Sequence, residues 1–248
     1  MNKSLKLLVI GSFLFSLSCD KADEVDIQKK LKEGLLVYYS FDGGSVEDET
    51  GTYPPGQVFG ATLVVDRNGR EDSAYYFDDH SDQIILGNIL DDVQEPFTIS
   101  VWARPESQTE TALFASQSNL PGVYGGFYLF VGTNSFGIMT GDGAGYTLAN
   151  RRNKTKFNLS DMDGKWAHYC AVVKAVDQID LYVNGEKFHA EFDGGDHSGI
   201  NSNFPSSSAT IGSYQEMGWI YSYKGEVDEL KVWNRALADS EVLELAKN

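Results

Sequence analysis

From residue 34 onward the chain is written as short apolar runs separated by Gly, Asn and Asp. Thirteen such runs, from Leu35–Phe41 to Val227–Trp233, are rich in Tyr, Phe, Val and Ile, residues that suit a pleated, half-buried surface. In Ile179-Asp180-Leu181-Tyr182-Val183 the apolar residues fall on one parity and Asp180 and Tyr182 on the other, as in a strand with one buried face. The Asn184-Gly185 pair that follows predicts a two-residue hairpin. Helical spacing is confined to the end, where Ser240 precedes Glu241–Lys247 and would turn Val242, Leu243 and Ala246 toward the sheets. So many strands with one short helix imply an all-β domain of two stacked antiparallel sheets over residues 34–248, without an interdomain linker.

The first eighteen residues follow another pattern. Lys3 and Lys6 precede an apolar stretch from Leu7 to Leu17, too short for a bilayer, which needs about 20 residues. Residues 1–18 therefore read as a secretory signal. Ser16-Leu17-Ser18 leads directly into Cys19, which resembles the lipobox of bacterial lipoproteins, with Ser16 standing where that pattern has Leu. The resemblance implies a lipidated Cys19 and a protein held at the outer membrane or cell surface by lipid alone. A plain signal peptide with an incidental cysteine is the alternative. Residues 19–33 are charged and poor in apolar side chains, as befits a tether.

Charge narrows the partners. The 248 residues carry 36 acids against 20 bases, a net charge of −16. Such a chain repels phosphate backbones, so nucleic-acid binding is excluded from the expectations. With Cys19 acylated, Cys170 is the only other cysteine and no internal disulfide can form. Cys170 lies in an apolar strand with His168 two residues away, which reads as a small core residue rather than an activated nucleophile.

Several strings together resemble the laminin G-like and pentraxin-like members of the concanavalin A-like lectin/glucanase superfamily. They are Leu36-Val37-Tyr38-Tyr39-Ser40-Phe41-Asp42 with Asp48-Glu49-Thr50-Gly51, then Ala74-Tyr75-Tyr76-Phe77-Asp78, then Phe97-Thr98-Ile99-Ser100-Val101-Trp102. The second half adds Trp166-Ala167-His168-Tyr169, Leu181-Tyr182-Val183-Asn184-Gly185, Gly225-Glu226-Val227-Asp228-Glu229-Leu230 and Trp233-Asn234-Arg235-Ala236-Leu237. The resemblance implies a jelly-roll sandwich.

Asp228 shares parity with Leu230 and Val232, so an uninterrupted strand would point its carboxylate inward, where it must be hydrogen-bonded, protonated or paired with a cation. A bulge near Gly225 would instead turn it outward. The family resemblance implies a structural Ca²⁺ shared by the first and last strands, with Asp228 and Asp42 or Asp48 as carboxylate ligands. Two other acidic strings, Asp161-Met162-Asp163-Gly164 and Asp78-Asp79-His80-Ser81-Asp82, read as turns, and the four histidines lack zinc-ligand spacing.

The same superfamily contains β-glucanases, whose Glu-x-Asp-x-x-Glu strand presents catalytic carboxylates on one face. Here Glu226-Val227-Asp228-Glu229-Leu230-Lys231 ends in Lys, so catalysis is not expected. Binding of carbohydrate or another extracellular polymer is the better reading, through aromatic side chains in three segments near the sandwich rim: residues 121–127, 142–146 and 214–223. Trp219, Tyr214, Tyr221 and Tyr124 are the candidate ligand-binding residues, whereas Trp102, Trp166 and Trp233 sit in apolar strands and read as core. A protein-interaction subunit of a surface complex is the rival reading.

Overall fold

The structure, a computed structural model, describes residues 26–78, 81–91, 93–106, 111–117, 123–145, 147–159, 162–195, 199–201, 208–216 and 219–247, without the side chains of Gln117, Leu148, Lys156, Phe157, Asp193, Gln215, Glu216 and Trp219. Residues 26–30 form a helical turn tied by a Lys30–Asp26 ion pair of 2.6 Å. Residues 34–248 form a separate compact unit.

Alternation of apolar and polar residues builds two eight-stranded antiparallel sheets in that unit. The first runs β13 (Glu186–Phe188), β12 (Gln178–Val183), β11 (Ala167–Ala175), β6 (Phe97–Pro105), β18 (Gly225–Trp233), β4 (Ala74–Phe77) and β3 (Thr62–Val64), with β1 (Leu35–Tyr39) also paired to β18. The second runs β14 (Glu191–Asp193), β10 (Arg151–Phe157), β9 (Ser135–Asp142), β8 (Gly125–Gly132), β7 (Thr111–Gln117), β15 (Ala209–Ile211), β5 (Gln83–Gly87) and β2 (Gln57–Phe59). A separate hairpin of β16 (Ser213–Glu216) and β17 (Trp219–Ser222) completes the strands among the described residues. The chain is a two-sheet antiparallel sandwich, as its pattern predicts, of the jelly-roll kind that the family resemblance implies.

The core lies between the sheets. Phe97, Ile99, Val101 and Ala103 of β6 face Phe127, Leu129, Val131, Phe136 and Ile138 of β8 and β9. The Phe97 and Phe127 rings meet 4.9 Å apart, and Phe136 and Tyr169 meet at 5.1 Å. Each fully buried large apolar side chain contributes about 1.5–3 kcal/mol, so this double layer dominates the stability. The predicted hairpin forms at Asn184-Gly185, both with positive φ, and pairs Val183 with Glu186.

Helix α1 (Asp239–Leu245) is the predicted C-terminal helix, rotated from the expected face. Val242 and Leu245 are buried, while Leu243 is 47% exposed. Glu241 explains the rotation: it accepts from both terminal nitrogens of Arg235, at 2.9 and 2.7 Å, and from the Ala238 backbone N–H at 2.8 Å, which draws the polar side of the first turn inward. Of the tryptophans expected in the core, Trp233 is buried, but Trp102 and Trp166 are only half-buried.

Strand β18 departs from simple alternation. Val227 and Leu230 both belong to the intersheet core although they are three residues apart. Glu229 between them has φ 50°, and the register with β6 shifts between Asp228 and Lys231. The bulge at Glu229 resets the parity. Asp228 pairs with Trp102, whose neighbours Val101 and Ala103 face the core, so both 228 and 102 lie on the outer face of the first sheet. The expected inward carboxylate is thus outward, and the bulge responsible sits four residues beyond Gly225.

Candidate functional site

The three acids expected to hold calcium do not form a shared shell. Asp228 is fully buried despite facing outward, because Arg67 lies over it and ion-pairs with its Oδ2. The Arg67 guanidinium also donates to Glu229 at 3.0 Å and stacks 4.6 Å above the Trp102 ring. Asp66 builds the loop that delivers Arg67, accepting from the Asn68 and Arg70 backbone N–H groups at 2.8 Å and from Arg70 Nε at 2.6 Å. Asp48 accepts five hydrogen bonds: from the Tyr38, Thr50, Thr52 and Tyr53 backbones at 3.0–3.1 Å and from the Thr50 hydroxyl at 2.6 Å. Burial alone would raise its pKa; the donors outweigh that and hold it below the usual value. Asp42 is half exposed and pairs with Arg70 at 2.7 Å. Both oxygens of Asp48, Asp42 Oδ1 and Asp228 Oδ2 are taken by N–H, O–H and guanidinium donors, which compete with a cation for the same lone pairs, while Asp228 Oδ1 is buried without a partner. Among the described residues no three His, Cys, Asp or Glu side chains converge to hold a metal. Asp79, His80 and Asp161 lie outside the described residues.

Cys170 and His168 are equally unsuited to covalent chemistry. Both are completely buried; desolvation pushes the thiol pKa far up and that of His168 down to about 3, with the nearby Lys231 adding to the latter. His168 Nε2 lies 2.8 Å from Ser100 Oγ. They are structural.

Two of the expected aromatic residues, Tyr214 and Tyr221, meet over the outer face of the second sheet. Phe127, Leu129 and Val131 of β8 face the core, so Tyr128 and Phe130 point the other way. Tyr214 of β16 stacks on Tyr128 with centroids 5.3 Å apart and 24° between planes, and Tyr221 of β17 stacks on Tyr214 at 5.8 Å and 18°. Phe130 closes the inner end, 5.9 Å from Tyr128. Tyr214 is 7% exposed and Tyr221 43%, so the row opens to solvent at Tyr221. Gly137 makes room for the packing, since a Cβ there would lie 2.4 Å from the Phe130 ring.

The register extends this face across two more strands, β9 and β10. Tyr128 pairs with Met139, and Met139 with Asn153; one step along, Gly126 pairs with Gly141, and Gly141 with Arg151. Because cross-strand partners share a side, Asn153 and Arg151 face outward with Tyr128. The Arg151 guanidinium lies 5.0 Å over the Tyr124 ring. Exposure along it is uneven: Tyr221 is exposed and Tyr128, Asn153 and Arg151 are half-buried, whereas Phe130 and Met139 are buried.

Of the four expected residues, Tyr214 and Tyr221 therefore stand together, and Tyr124 stands with Arg151. The backbone of Trp219 is in β17, opposite Glu216, but its side chain lies outside the described residues. Sequence reading missed Tyr128, Asn153 and Arg151. A signal for Tyr128 was present: in the strand through Gly126–Val131 it alternates with three core residues, placing two aromatics on the opposite face.

A family model of the concanavalin A-like lectin/glucanases superfamily matches residues 78–243. No curated protein matches the chain by sequence. Among solved structures, domain 4 of AbnA, a GH43 extracellular arabinanase from Geobacillus stearothermophilus in complex with arabinotriose, is similar at TM-score 0.58 and 20% identity, over 86% of this chain and 98% of that one. The binding domain of Paraclostridial Mosquitocidal Protein 1 is similar at TM-score 0.62 and 18% identity, over 87% and 52%. The receptor binding domain of the botulinum neurotoxin C/D mosaic serotype is similar at TM-score 0.60 and 14% identity, over 87% and 51%. The chain spans about half the length of these two toxin domains.

Proposed function

Because the chain belongs to the concanavalin A-like lectin/glucanases superfamily, we propose that it is a non-catalytic module that binds carbohydrate or another extracellular polymer on the outer face of its second sheet. We further propose that it is carried at the outer membrane or cell surface of a bacterium by lipid on Cys19. The observation behind the first reading is the row of stacked rings, Tyr128, Tyr214 and Tyr221, opening to solvent beside Asn153 and Arg151. Sugar rings present apolar faces that stack on aromatics and hydroxyls that take amide and guanidinium groups. None of these five side chains carries a carboxyl group, whereas retaining hydrolysis needs two about 5–5.5 Å apart. The arabinotriose bound to the AbnA domain accords with a saccharide ligand.

A second reading, docking of a protein partner, is favoured by a different surface. Phe59 on β2 and Leu63 on β3 are 45% and 41% exposed on the edge strands of the two sheets, and exposed apolar edges invite pairing with another chain.

A glycan array followed by calorimetry on the hits separates the two. Glycan binding that falls about tenfold in Tyr221→Ala, the 1.4 kcal/mol expected of one stacked ring, supports the first reading. Tyr221 is exposed, so this variant should melt as the wild type does. A blank array together with a stably co-purifying protein would replace it with the second.

A further inference from the structure

Strand β10 gathers cations in an acidic chain. Its seven residues, Arg-Arg-Asn-Lys-Thr-Lys-Phe, hold four of the 20 Lys and Arg residues and no acid, in a protein of net charge −16. On the side opposite the aromatic row, Arg152 and Lys154 lie over the Phe192 ring at 4.7 and 5.0 Å, and Arg152 donates to the Gly195 carbonyl at 3.2 and 2.9 Å. Those two cations have local structural work.

Arg151 does not. It faces the aromatic row and makes neither a hydrogen bond nor an ion pair with any described residue; its Nε is buried without a partner. Two residues on, the buried Oδ1 of Asn153 is likewise unpartnered. Asp142, next to the Gly141 that pairs with Arg151, is engaged elsewhere, accepting from the Ala144 backbone at 2.8 Å and from Asn150 Nδ2 at 3.4 Å. Leaving a buried donor and a buried acceptor unsatisfied is unfavourable, so Arg151 and Asn153 hold hydrogen-bonding capacity that the described residues do not take up. The cation–π contact with Tyr124 also restrains the Arg151 side chain before any ligand arrives.

From this placement we infer that the ligand of the face is an anionic glycan, its carboxylate or sulfate taken by Arg151, a neighbouring hydroxyl by Asn153, and a sugar ring by the tyrosine row. The inference rests on the glycan reading of that face and adds the charge of the ligand. A planar fork matches a carboxylate or sulfate in two parallel hydrogen bonds, and charge-assisted bonds are about twice as strong as those to a neutral hydroxyl. The overall negative charge works against such a ligand at long range, which makes the contact local to Arg151 rather than a diffuse attraction.

Calorimetry on two matched probe pairs tests it: oligogalacturonate against its methyl ester, and chondroitin sulfate oligosaccharide against its desulfated form. The members of each pair differ in charge and share the sugar backbone. Wild-type protein should prefer the charged member of at least one pair by tenfold or more, and the pair concerned identifies carboxylate or sulfate. Arg151→Gln should reduce that preference to within twofold by weakening the charged member far more than the uncharged one; Tyr221→Ala should weaken both members alike. Equal binding of charged and uncharged members, or a preference that survives Arg151→Gln, overturns the anionic assignment and leaves the glycan reading standing. Loss of all glycan binding, on the array as well, overturns both.

Discussion

Asp228 is where an expected role and an observed one differ most. Its side chain is completely buried, Oδ1 has no partner, and Arg67 over Oδ2 is itself almost wholly covered. Burial, with Glu229 and Asp66 adding repulsion, outweighs the Arg67 charge and lifts the carboxyl pKa to about 7. The folded state then holds this proton more tightly than the unfolded chain, whose Asp titrates near 3.9. Unfolding releases the proton at intermediate pH, so this group's contribution is fully present below about pH 4 and is lost as pH rises to about 7, with a slope of up to about 1.4 kcal/mol per pH unit. Urea unfolding followed between pH 4 and 8 should show that decline in the wild type and a flatter profile in Asp228→Asn. Truncating the partner is more severe: Arg67→Met leaves Asp228 and Glu229 covered without their shared cation and should cost about 3–5 kcal/mol at neutral pH. The error in the sequence reading has a definite origin. Parity counting assumes an unbroken strand, and the residue that breaks this one is Glu229, a side chain with no preference for positive φ; the neighbouring Gly225 is the bulge that the letters advertise.

At the scale of elements, strands were legible in proportion to how much of each is buried. Strands β6, β8, β9 and β11 carry the core and announce themselves by apolar content, whereas β10 reads as a polar stretch and was invisible to a search for apolar runs. It is held by its register to β9 over all seven residues rather than by burial of its own side chains. The proposed binding face shares that weakness, because it depends on which residues come opposite one another: Tyr128, Met139 and Asn153 belong to three different strands and become one row only through pairing. Glycine at 137 is part of the same construction. A Cβ there would meet the Lys154 carbonyl oxygen as well as the Phe130 ring, each at 2.4 Å, and the backbone cannot yield as a side-chain tip does. Gly137→Ala should therefore lower stability by about 1–3 kcal/mol, as overpacking does, and by tilting Phe130 under Tyr128 should also weaken ligand binding. Combining thermal melts with calorimetry reads both effects in one variant, and a destabilised protein with unchanged affinity would show that the row is insensitive to its inner end.

For the molecule as a whole, charge and the proposed lipid pull in opposite directions. A net charge of −16 favours solubility and repels anionic membrane surfaces, and among the described residues no helix is long and apolar enough to cross a bilayer. One acyl chain gives only marginal, reversible attachment, so stable anchoring of so acidic a domain calls for more than one chain on the modified cysteine. Cys19→Ser tests this at the scale where it belongs. Cells making the wild type should yield the protein in the detergent-rich phase after phase partitioning, with label incorporated from radioactive palmitate. The variant should move to the aqueous phase and take up no label, yet bind the same glycans with the same affinity, because the proposed binding face lies wholly within residues 124–221. Label retained in the variant would place the lipid on another residue, and aqueous partitioning of an unlabelled wild type would reduce Cys19 to the incidental cysteine of a cleaved leader.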